Sequence, residues 1–113
     1  MPAFNSMFPI LPGKEEVARA WIRELAGPRR AGWDALQQRS EITRETLTLA
    51  TTPMGAFLLF WFDGDIEKAF GEVITGQDEF TAWHRARLKE VTGIDLSQPM
   101  EGPLPELLLD WRA

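Results

Sequence analysis

Ala56 to Phe62, Ala-Phe-Leu-Leu-Phe-Trp-Phe, is a run with no polar side chain on either face. In a strand successive side chains point to opposite sides, so Phe57, Leu59 and Trp61 line one face and Leu58, Phe60 and Phe62 the other. Both faces need cover, and the rest of the chain must supply it or recruit it.

The run sits in a chain of 113 residues, which fits one domain over 1–113, large enough to bury a core and too short for two. The net charge of −5 argues against a nucleic-acid partner held through phosphates and against an anionic membrane. The twelve basic residues are interspersed with acids and form no stripe. Without cysteine there is no disulfide framework, thiolate nucleophile or cysteine-type metal site. The opening Met-Pro-Ala-Phe-Asn-Ser-Met-Phe lacks a basic region and a long apolar stretch, and no apolar run reaches about 18 residues. A soluble, cytoplasmic protein is expected.

Ala3 to Leu11 reads as a first strand ended by Pro12-Gly13, with Pro9 at an edge or closing the strand because it has no N–H for a ladder. Lys14 to Leu25 carries Val17, Ala18, Trp21, Ile22 and Leu25 at helical spacing, with Glu15 and Glu16 in the first turn. Gly27-Pro28 interrupts, and Trp33 and Leu36 continue the stripe to about Arg39. Thr46 to Thr52 alternates and is joined to the central run by Pro53-Met54-Gly55, a β-hairpin. Asp65 is placed to cap a helix bearing Ile66, Ala69, Phe70, Val73 and Ile74 up to Gly76, and Asp78 to cap another from Glu79 to Thr92, stopped by Gly93. Asp95 to Pro105 reads as a loop and Glu106 to Trp111 as a last strand.

Strand, helix, strand, strand, helix, strand is an α+β arrangement, the ferredoxin-like βαββαβ order with a four-stranded antiparallel sheet and helices on one face. One sheet face is then open, and three large side chains left in water would each forgo roughly 1.5 to 3 kcal/mol. The expected cover is a second copy, giving a homodimer with Trp61 or its neighbours Phe60 and Phe62 at the interface. The alternative is that the Pro-rich loop folds over the sheet within one chain.

The second half, from Phe62-Asp63-Gly64-Asp65-Ile66 to Asp78-Glu79-Phe80-Thr81-Ala82-Trp83-His84, resembles the dimeric α/β-barrel superfamily of antibiotic-biosynthesis-type and heme-degrading monooxygenases. Within it the chain is most similar to a family of small uncharacterised bacterial proteins, through Pro12-Gly13-Lys14, Thr46-Leu47, Trp83-His84-Arg85 and Val91-Thr92-Gly93-Ile94-Asp95-Leu96. In the heme-degrading branch a histidine four residues after a phenylalanine ligates iron, matching Phe80 and His84, and Asn5 is the counterpart of a first-strand asparagine. That branch has a tryptophan where this chain has Ile74, so no heme, and no other cofactor, is expected.

His84 is the only histidine, so metal sites built on two histidines are excluded by count, and no metal is expected. There is no Gly-x-Ser-x-Gly elbow and no Gly-rich phosphate loop. Turn and cap chemistry accounts for Asp63 and Asp65. At about 100° per residue Phe80, His84, Arg87 and Val91 share one helix face, while Arg85 and Lys89 point away. Arg87 there demands an anion. One account is an ion pair with Glu41 or Glu45. The other is a pocket walled by Phe and Trp, with His84 as proton-transfer group and Arg87, Asn5, Trp61 and Trp83 as ligand-binding residues. On the second account the protein binds a small aromatic ligand or acts on it as a cofactor-independent, monooxygenase-like enzyme. On the first it is a non-catalytic dimeric module.

Overall fold

In the computed structural model, which describes residues 3–98 and 102–113, the apolar run becomes β3 (Gly55–Asp63), flanked by β1 (Ala3–Pro9) and β2 (Arg44–Thr52). All pairing is antiparallel, and the sheet is three-stranded in the order β1-β3-β2. A strand apolar on both sides gains most at the centre, where neighbours shield its edges as well as its faces. Pro9 closes β1, the place where a residue without an N–H does least harm. Register puts Phe62 between Phe4 and Glu45, Phe60 between Ser6 and Leu47, and Leu58 between Phe8 and Leu49.

The helices are α1 (Glu15–Ala26), α2 (Arg30–Arg39), α3 (Ile66–Thr75) and α4 (Glu79–Thr92), with Gly27-Pro28 dividing the first two as expected. Asp65 accepts from the Lys68 amide at 3.0 Å and Asp78 from the Thr81 amide at 3.1 Å, each satisfying a donor that the first helical turn leaves free. α4 ends at Gly93, whose φ of 77° suits a residue without a Cβ. The core joins Phe4, Phe8, Leu58, Phe60 and Phe62 of one sheet face to Trp21, Leu36, Phe80 and Val91 of the helices. Gly32 permits the closest approach, since a Cβ there would stand 2.4 Å from the Phe80 ring.

The expected fourth strand does not form. Glu106 to Trp111 pairs with no strand among the described residues, and Leu108 and Trp111 are 85% and 77% exposed. Pro103 and Pro105, just before it, offer no N–H to a ladder, and a strand apolar on both faces is held only where a partner strand and cover on both sides are within reach. The structure is thus α+β and compatible with a ferredoxin-like arrangement, with three strands in place of four. Phe60 and Phe62 face the helices, so an interface on the open face is left to Phe57, Leu59 and Trp61, all half-buried. A groove of about 1150 Å³ runs over that face, bordered by Gln98 and by Pro103, Leu104 and Pro105. Pro99 and residues 100–101 of the expected loop lie outside the described residues. No described helix is long and apolar enough to cross a membrane.

Candidate functional site

Between the sheet and the helices lies a cavity of about 80 Å³. Its wall is mostly apolar, with Trp21, Trp33, Phe60, Phe62, Phe70 and Leu47 among its residues. The polar side chains on it are Gln37, Ser40, Glu45 and His84. Half-buried residues on its wall come from α2, β2, α3 and α4, Glu45 and His84 among them.

His84 is held by three helices. Its ring stacks on Phe80 of its own helix at 5.8 Å and 12°, and lies tilted against Trp21 at 5.3 Å and Trp33 at 5.2 Å. The indole Nε1 of Trp21 donates to His84 Nδ1 at 3.2 Å. An imidazole accepting at Nδ1 carries its proton at Nε2, so this contact sets the tautomer and leaves an N–H donor. Burial penalises the charged ring and pushes its pKa down to about 4. At neutral pH His84 is an uncharged donor.

Glu45 enters from the other side. On β2 the leucines Leu47 and Leu49 face the helices, and the two-residue period carries Glu45 onto the same face, opposite Phe62. Its carboxylate accepts from the Gln37 amide at 2.9 Å and makes no ion pair among the described residues. Burial raises its pKa to about 7, with the Gln37 hydrogen bond opposing the rise. Ser40 follows the last turn of α2 and is 1% exposed, and its Oγ has no partner among the described residues. A buried hydroxyl without a partner costs about 1 to 3 kcal/mol.

The residues expected to share one pocket are spread over four places. His84 lines the cavity. Asn5 and Trp61 are cross-strand neighbours on the open face and border its groove. Trp83 packs on Phe80 at 5.6 Å, and the Arg29 guanidinium covers its ring at 4.4 Å while bonding Glu79 at 2.7 Å. Arg87 lines neither cavity nor groove. It pairs with Glu90 one turn on at 2.7 Å, and its Nε is buried without a partner. The expected helix-to-strand ion pair is therefore replaced by one within α4, while Glu41 pairs with Lys68 and Glu45 with Gln37. Arg85, expected to point away, donates to the carbonyls of Val73 and Gly76 at 2.7 Å each and closes the end of α3.

The residues around His84 do not fit a heme. Its faces and Nδ1 are already occupied by aromatic neighbours, and about 80 Å³ of cavity is far less than a macrocycle fills. No protein-family model matches the chain, and no curated protein or solved structure is significantly similar to it.

Proposed function

We propose that this protein binds a small, mainly apolar molecule in the cavity between helices and sheet, and that it does so as a homodimer of the dimeric α/β-barrel type. The observation that carries the first half is Ser40, whose buried hydroxyl has no partner and lines a cavity whose other polar groups are Gln37, Glu45 and His84. A self-filled core would hydrogen-bond that hydroxyl or replace it with an apolar group. In this reading His84 donates through Nε2, and Glu45, with a pKa near 7, is the group that can exchange a proton at neutral pH. An NMR titration with a panel of small aromatic and aliphatic compounds tests it. Shifts clustered on Ser40, Glu45 and His84 are expected. Shifts confined to the open face, or absent with every compound, sink it.

The open face supports the second half. Phe57, Leu59 and Trp61 stand half-buried beside Met7, which is 57% exposed, and the C-terminal Leu107, Leu108, Leu109 and Trp111 are exposed as well. Patches of this kind mark interaction surfaces. Light scattering should give twice the 12.8 kDa of one chain. A 12.8 kDa species at micromolar concentration would exclude the dimer and leave the cavity reading intact.

A further inference from the structure

The cavity has an electrostatic character that narrows its ligand. Among its described lining residues the titratable groups are Glu45 and His84, and no arginine or lysine lines it. His84 is neutral above about pH 4, so Glu45 is the one charge available. Arg39 of α2 pairs with Glu72 at 3.5 Å and Asp78 at 3.4 Å, and Lys68 of α3 with Glu41 at 3.2 Å, so neither pairs with Glu45. Glu45 thus faces an aromatic wall with only a neutral amide as partner.

Resting on the reading of this cavity as a ligand site, we propose that its ligand is a small primary amine bound as the ammonium ion. The ammonium lies against the Glu45 carboxylate and donates to Ser40 Oγ, and the apolar body lies against Trp33, Phe70 and Leu47. Each part of the site fits that charge. A carboxylate without a counter-ion is costly to bury, and a cationic ligand supplies the missing partner. Aromatic faces are negative and attract cations. An ammonium has donors for both Glu45 and the unpartnered hydroxyl of Ser40. An anionic ligand would meet Glu45 with nothing to hold it, and a neutral one would gain nothing from the carboxylate's charge. Burial raises the pKa of Glu45, and the Gln37 hydrogen bond opposes the rise.

The volume sets the size. At about 10 to 15 Å³ for each water-sized site, 80 Å³ holds a molecule of roughly the size of a substituted benzene ring.

Benzylamine, benzyl alcohol and benzoate share a ring and differ in the charge of the polar group, so calorimetric titration of the three at pH 8 tests the proposal. Benzylamine should bind at least tenfold more tightly than benzyl alcohol, with benzoate weaker still. In Glu45→Gln, whose fold is checked by circular dichroism, the preference for benzylamine over benzyl alcohol should vanish. A Ser40→Ala variant should lose part of the benzylamine affinity. Equal affinity for amine and alcohol, or a preference that survives Glu45→Gln, overturns the amine inference and leaves the cavity a site for neutral molecules. Failure of all three to bind overturns both.

Discussion

The two faces of β3 are made of the same kinds of residue and have opposite surroundings. Leu58, Phe60 and Phe62 are 2%, 9% and 3% exposed beneath the helices, whereas Phe57, Leu59 and Trp61 remain half-buried on the open side. Neighbours on the adjacent strands follow the same division. Facing the helices are Phe4, Phe8, Leu47 and Leu49, while Asn5, Met7, Thr46 and Thr48 face outward. The covered side also encloses the two titratable groups whose pKa values burial shifts furthest, Glu45 and His84. Hydrophobicity alone therefore does not make a core here. What does is the presence of helices whose stripes match one face and not the other.

The contrast is broken most directly by trimming one residue on each face. Phe60→Ala removes a ring packed on Phe4 at 5.9 Å and Phe8 at 4.8 Å, and should lower unfolding stability by about 3 to 5 kcal/mol in urea titrations. Leu59→Ala, one position along, should cost about 1 kcal/mol within a monomer. Similar losses at low protein concentration would show that the open face is covered as fully as the other.

Glu45→Gln is expected to stabilise the protein in alkaline solution. A folded-state pKa raised from 4.5 to about 7 means that the native state holds the proton longer than the unfolded chain. Stability from this group is fully present below pH 4.5 and lost as pH rises through 7. The loss is roughly 3 kcal/mol. The variant should therefore melt higher than the parent at pH 8 and no higher at pH 4, and equal melting at pH 8 would contradict the burial assigned to Glu45.

His84 works in the other direction. Its pKa is lowered from 6.5 to about 4, so its stability is present above pH 6.5 and lost as pH falls through 4. Roughly 3 kcal/mol is at stake. His84→Gln, which keeps an acceptor for Trp21, should flatten this acid limb in melts between those pH values, and an unchanged limb would place the acid sensitivity elsewhere.

The smallest effect belongs to the open face. Thr48→Lys adds a charge beside Leu59 and should change the stability of a single chain by no more than about 0.5 kcal/mol. In light scattering the same variant should lose the proposed dimer. A dimer found in both parent and variant would place the interface away from this face.

Much of this arrangement was legible before any coordinates. The run Ala56 to Phe62 demanded a central strand, Asp65, Asp78 and Gly93 marked helix ends, and Gly27-Pro28 divided the first helical stretch, because caps, glycines and prolines act within a few residues of themselves. The place of Glu45 was also available in the alternation Glu45-Leu47-Leu49, where parity alone turns the carboxylate toward the helices. His84 stood on the apolar stripe of α4, as its spacing from Phe80 and Val91 required. Tertiary packing decided the rest. Trp21 and Trp33 reach the imidazole from two other helices, and no local rule says which indole will meet which ring. Arg87 was read on the same face as Phe80, His84 and Val91, yet it pairs with Glu90 one turn away and with no strand residue among those described. The fourth strand shows the same limit: its apolar residues were plain in the sequence, but a strand exists only through a partner, and whether a partner is within reach is settled by the whole fold.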